Sequence, residues 1–345
     1  MMHVKKSIFW IHICEDFSVA QGGPANSIPK VSRHLPGLSY YFSYSLNYNA
    51  LPNLEQNKCF NSYGKLIKFI ASKHNEDIRF IFHSVWSLAN ICYLFIALFY
   101  KIRFCIWIRG SLKLNTSSKR IYKKIFLRYF MKKSYFIIMS TYLQAKVELD
   151  KQYHNKLIVI PNNVQAFEKY PMAELRKGNK DNIKIGFFGR VEPHKNIHAI
   201  FGLLKDFKNV EIILAGPLQD KGYLNFLKSV AAKKNYNLHY QGVYAVEKKD
   251  EFFNEIDVLC CTSLSENFGN VILEALSYGK YVLVNDALYI SEYLSPSMTV
   301  SLNDKINLVK WLQNVSLLQR GSRMAVIDKI EKAAKVGYIK IGDQM

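Results

Sequence analysis

Two glutamates, Glu266 and Glu274, flank a Phe268-Gly269-Asn270 turn in the segment SENFGNVILEAL. Gly269 lets backbone N–H groups approach a ligand closely. The apolar run that follows reads as a helix whose positive end faces the same turn. Asn267 and Val271 complete it. A carboxylate accepts paired hydrogen bonds from a ribose diol or from sugar hydroxyls. One such Glu is an ordinary helix-start acid that complements the helix dipole. Two at this spacing, around a glycine turn, suit a site that holds a diphosphate, a ribose and a sugar together.

A second constellation is IGFFGRVEPHKN, from Ile185 to Asn196. A strand ends at Gly189, and Arg190 and Lys195 follow within one loop. The carboxyl edge of a parallel strand is where such sheets bind ligands. Two cations there suit a diphosphate, Arg190 with two-pronged geometry. Gly22-Gly23-Pro24 follows the first strand and would let a phosphate or sugar come close, although a lone glycine pair also makes a plain turn. His83, in HSVWS, and Arg109, in WIRGSLK, end two further strands. No Asp-x-Asp motif occurs, so no metal site and no cofactor are expected. Arg190, Lys195 and the helix dipole would then balance charge on a departing diphosphate.

These residues need strand ends to carry them. Ile8–Cys14, Arg79–Phe82, Phe104–Ile108, Tyr135–Met139 and Leu157–Ile160 read as strands. So do Ile183–Phe188, Val210–Ala215, Leu238–Tyr240, Val258–Cys260 and Tyr281–Val284. Helical patterns lie between them, near 26–35, 62–73, 87–100, 119–131 and 141–151 in the first half. Alternation of this kind predicts parallel, doubly wound sheets. A polar stretch between Pro161 and Asn182 predicts the boundary of two Rossmann-like domains, 1–165 and 180–320, with 321–345 as a C-terminal segment.

The chain has 345 residues, 49% hydrophobic, and a formal net charge of +20. That length suits two domains, and that charge an anionic partner. Six cysteines without CxxC spacing read as buried small side chains in a reducing compartment. The N-terminal apolar run is short and acids follow it, which suits a buried strand better than a signal peptide. Val85–Tyr100 is too short to span a bilayer. In KRIYKKIFLRYFMKK, Arg120, Lys124, Arg128 and Lys132 form an i, i+4 row, with Tyr122, Phe126 and Phe130 roughly opposite. The apolar row suits docking on a sheet, and the basic row an anionic membrane face.

Together GGPA, HSVWS, IRGSL, PNNV, FFGRVEPHKN and ENFGNVILEAL resemble, in order, the segments of glycosyltransferase family 4. The resemblance implies an α/β GT-B fold, two Rossmann-like doubly wound parallel-sheet domains facing each other across a cleft. It implies retaining, metal-independent transfer from a nucleotide-sugar donor to a glycan or lipid-linked acceptor. Glu266 would face the donor sugar and Glu274 the ribose. Arg190 and Lys195 would hold the diphosphate. Gly22, Gly23, Gly189 and the 267–271 turn would line the donor site, with His83 and Arg109 near the reacting carbon or acceptor. The chain departs from the family pattern at Tyr281, where Pro is common, and at Asn163, where Gly is. A bacterial O-antigen, capsule or exopolysaccharide step, cytoplasmic and peripheral on the inner membrane face, is the expectation. The alternatives are a basic nucleic-acid-binding protein, an inactive scaffold and a nucleotide-sugar epimerase of the same build. No zinc, RNP or recognition-helix signature supports nucleic acid as partner.

Overall fold

The computed structural model describes residues 6–14, 23–43, 58–83, 89–110, 112, 121–162, 183–204, 210–244 and 249–345. Gly22, Arg120 and the expected boundary segment beyond Asn162 lie outside them. The chain divides into two compact units, Met1–Asn163 with Glu331–Met345, and Val164–Ile330.

Unit 1 holds a seven-stranded, all-parallel sheet. Its strands are β1 (Ile8–Ile13), β2 (Leu38–Phe42), β3 (Cys59–Phe60), β4 (Asp77–Phe82), β5 (Arg103–Trp107), β6 (Phe136–Met139) and β7 (Leu157–Val159). Their order is β3-β2-β1-β4-β5-β6-β7, so the winding reverses between β1 and β4. Both faces are covered. Phe9, Ile11 and Ile13 join one core with residues of α3 (Ala89–Phe99) and α4 (Ile121–Lys133). Trp10 joins the other core, with Val31 of α1 (Gly23–Ser32) and Tyr338. Burial on both sides is why these strands read as continuous apolar runs. The helices α2 (Tyr63–Ser72) and α5 (Tyr142–Glu148) complete the unit's connections.

Unit 2 holds a six-stranded parallel sheet in the order β10-β9-β8-β11-β12-β13. The strands are β8 (Ile183–Phe188), β9 (Val210–Ala215), β10 (Asn237–Tyr240), β11 (Val258–Cys261), β12 (Tyr281–Asn285) and β13 (Thr299–Val300). Here the winding reverses between β8 and β11. Between the strands run α6 (Ala199–Leu203), α7 (Lys221–Lys233), α8 (Lys249–Glu255) and α9 (Asn270–Ser277). Tyr281 donates its N–H to Asp257 O at 3.2 Å, a bond that proline could not make.

The last helix, α10 (Leu308–Gln344), supplies its first part to unit 2 and its last part to unit 1. Gln319 ties it to the backbone of Val282 in both directions at 3.1 Å. Further on, Arg79 donates to Gly342 O at 3.0 Å. A Cβ at Gly337 would come within 2.5 Å of Ile160 Cγ1, so a small residue lets the helix lie close to the sheet. Among the cysteines, Cys92 differs from the buried reading: it sits on the outer face of α3 and is exposed. Burial pushes the Cys59 and Cys261 thiols up to about 11, which keeps them protonated. No described helix is long and apolar enough to cross a membrane.

Candidate functional site

In unit 2 the loops that leave β8 and β11 are tied together. Asn196, held at φ +49°, donates from Nδ2 to Thr262 O at 3.1 Å, and Thr262 Oγ1 donates to Asn196 O at 3.0 Å. Leu264 N donates to His194 O at 3.1 Å. Asn285, at the end of β12, holds Ser263 O at 3.0 Å. This lacing puts Lys195 beside Glu266, and the two form an ion pair. Ser263 Oγ donates to the same Glu266 oxygen at 2.9 Å, which fixes the carboxylate from a second side.

Glycine is required at two points of this edge. Gly216, at φ +131°, follows β9, and a Cβ there would meet Gly189 O at 2.1 Å. Gly189 N in turn donates to Ala215 O at 2.8 Å. Gly269 caps α9 at φ +71°, a conformation that side chains resist. Phe268 anchors the turn from below, buried against Tyr293 at 6.1 Å between ring centres. Asn267, Asn270 and Val271 are half-buried at the start of α9, with first-turn N–H groups at that helix end.

Glu274, one turn into α9, pairs with Lys249. Nζ lies 3.0 Å from Oε1 and 3.1 Å from Oε2. Lys249 also stands over the Phe188 ring at 5.4 Å, so it sits at the end of β8 near Gly189. Lys249 escapes the sequence reading: it opens a charged helical stretch, and nothing local marks it as the partner of Glu274. Arg190 behaves differently from Lys195. It is 57% exposed and pairs with Glu192 at 3.2 Å, not with the Lys195–Glu266 pair.

Unit 1 brings His83 and Arg109 together. Arg109 Nε donates to His83 Nδ1 at 3.4 Å, and Nη1 donates to Ser27 Oγ at 3.1 Å and Asn162 Oδ1 at 2.9 Å. His83 Nε2 meets His12 Nδ1 at 2.9 Å, a partner the sequence reading does not name. His83 is thus buried with both ring nitrogens engaged. Burial lowers its basicity well below the usual histidine range, and Arg109 and His12 lower it further. His12 falls to about 3, from burial first and Arg109 second. Arg109 drops to about 10 through burial and keeps its charge at neutral pH. Gly23 begins α1, the helix that carries Ser27.

On α4, Lys124, Arg128 and Lys132 are exposed, and Phe130 is buried in the core. Ile125 and Tyr129 are exposed among the cations, and Phe95 and Phe99 are exposed on α3, Phe99 at 81%.

Two parallel sheets, each with helices on both faces and charged loops at the strand ends, define an α/β protein of the GT-B class. Residues 172–299 match the family described as Glycosyl transferases group 1. The chain is 27% identical over 191 residues to an "Uncharacterized 41.2 kDa protein in cps region" of Klebsiella pneumoniae, covering 53% of this chain and 52% of that one. It is 26% identical over 195 residues to "Capsular polysaccharide biosynthesis glycosyltransferase CapM" of Staphylococcus aureus, covering 52% of this chain and 46% of that one. The chain thus spans about half the length of the curated relatives it matches. Its fold matches that of Anabaena HepE, solved in complex with UDP and glucose, with a TM-score of 0.66, 16% identity and 97% of each chain covered. The chain thus resembles group 1 glycosyltransferases in sequence over residues 172–299 and shares the fold of HepE.

Proposed function

We propose that this chain transfers a sugar, with retention of configuration, from a nucleotide-sugar donor to a hydroxyl of a lipid-linked glycan in surface-polysaccharide assembly. The observation that carries the reading is the Lys195–Glu266 pair at the switch point of the unit 2 sheet, with Glu274 one helix turn beyond Gly269. Open α/β sheets bind ligands at such switch points. The group 1 match over this unit and the UDP-bound neighbour of the same fold support it.

In this reading Lys195 leaves Glu266 for the donor diphosphate, and the exposed Arg190 of the same loop adds a second cation. The α9 N–H groups complete the charge balance without a metal. Glu266, released, accepts hydrogen bonds from the donor sugar. Glu274 accepts from the ribose diol and keeps Lys249 as its counter-ion. The reaction then follows a front-face path, with no covalent adduct on a side chain. The departing phosphate oxygen takes the acceptor proton while the new glycosidic bond forms on the same face. Trapping a glycosyl-enzyme adduct would contradict this path. The exposed basic and aromatic face of α3 and α4 suits the anionic inner surface of the cell membrane, where a lipid-linked acceptor resides.

The test is nucleotide release from a panel of nucleotide sugars, with and without lipid-linked acceptor. Release that requires acceptor supports transfer. Epimerised donor with no acceptor present would support the epimerase alternative.

A further inference from the structure

The Arg109 cluster lies outside the donor residues of unit 2 and has a chemistry of its own. Among the described residues Arg109 has no carboxylate partner; its acceptors are all neutral. A guanidinium only donates and stays charged, so His83 accepts at Nδ1 and carries its proton on Nε2. That proton goes to His12 Nδ1. His12 therefore carries its own proton on Nε2, where no described residue accepts it. Among the described residues, Arg109 Nη2, Trp107 Nε1 and the Tyr338 hydroxyl are also buried without a partner. The Trp107 ring lies 4.0 Å under the guanidinium and 6.4 Å from the Tyr338 ring. Buried donors without acceptors are rare and costly. Here they gather around one cation, and what the group lacks is a negatively charged acceptor.

Position gives an independent argument. His12 and His83 stand at the ends of β1 and β4, where the winding of this sheet reverses. Lys195 and Glu266 follow β8 and β11, the corresponding place in the other sheet. Strand ends at such reversals are where these sheets bind ligands. Arg109 as a residue is half-buried, and its unpartnered Nη2 is its sealed end.

We propose that Arg109, with the His83–His12 pair and Trp107 beside it, forms a phosphate-binding site in unit 1. Taken with the sugar-transfer reading, on which this step rests, the phosphate belongs to the lipid-linked acceptor. The same chemistry would also accept the diphosphate of the donor.

Titration of 15N-labelled protein with inorganic phosphate, farnesyl monophosphate and UDP, each alone, tests the site. The readouts are the ring-nitrogen resonances of His12, His83 and Trp107. Phosphate is expected to move all three in wild type and in Glu274→Ala. Arg109→Met should weaken the response by about tenfold or more, as loss of a charge-assisted contact does. If Arg109→Met does not fold, Arg109→Lys carries the comparison, since it keeps the charge and loses the fork. Farnesyl monophosphate stronger than UDP at these resonances identifies the acceptor as the source. UDP stronger than both supports the site and assigns it to the donor. Unmoved resonances in folded wild type, up to the solubility limit of phosphate, would overturn the site. An equal response in Arg109→Met would do the same. A UDP response lost in Glu274→Ala, with the phosphate response intact, keeps the two readings separate.

Discussion

Lys249 meets both carboxylate oxygens of Glu274, at 3.0 Å and 3.1 Å. A carboxylate has about four acceptor directions, so two remain for a ribose diol. Lys249 thus holds Glu274 oriented without using it up. The pair is about a quarter exposed, so its loss should change stability by less than about 1 kcal/mol. Lys249→Ala is expected to raise KM for the donor by up to about fivefold, with kcat little changed. Lys249→Arg should restore most of it. Steady-state kinetics against donor concentration checks this; a kcat loss with unchanged KM would contradict it.

Lys195 has the opposite expectation. Its cation must move to the leaving diphosphate, where charge develops in the transition state. Lys195→Ala should lower kcat by roughly 100-fold or more, while Glu266 stays in place through Ser263. Single-turnover rates at saturating donor read the effect. A change confined to donor affinity would remove Lys195 from the chemical step.

The buried histidines set a pH dependence. His12 falls to about 3 in the folded chain, against 6.5 when exposed, and His83 is lowered in the same direction. The unfolded chain therefore binds more protons below about pH 6.5, and stability falls as pH drops from there toward 3. Between pH 7 and pH 5 His12 should cost about 2 kcal/mol, and His83 adds to the loss in the same direction. Urea unfolding across that range measures it, and His12→Gln, which does not titrate, should flatten the slope. Equal stability at both values would mean that these rings are reached by water.

The outer face of α4 and α3 carries Lys124, Arg128 and Lys132 with Ile125, Tyr129, Phe95 and Phe99. Each cation near an anionic surface contributes about 1 kcal/mol. Reversing all three to Glu should reduce co-sedimentation with anionic vesicles by about tenfold or more, and salt should do likewise. Binding to neutral vesicles just as strong would point to the aromatic residues alone.

Much of this architecture is legible in the chain itself, because parallel strands buried on both faces leave continuous apolar runs. The strand β2, LSYYF, hides because an exposed leucine, a serine and a half-buried Tyr40 break that signal at its start. The strands β3 and β13 are two residues long and leave none. The helix α10 hides for another reason: its ends pack against different cores, so no single apolar face persists along 37 residues. In the site, Lys195 and Glu266 are legible from strand ends and a glycine turn. Lys249 and His12 are not, since a long-range ion pair and a buried imidazole pair have no local spacing.

A nucleotide site built on Glu274 underlies every role given to unit 2. Thermal unfolding with and without UDP, in wild type and Glu274→Ala, tests it most directly. At 100 times its dissociation constant UDP should add about 2.7 kcal/mol, several degrees for a chain of this size, and Glu274→Ala should lose that gain. An equal gain in both proteins, or none in folded wild type with any nucleotide, would contradict the account.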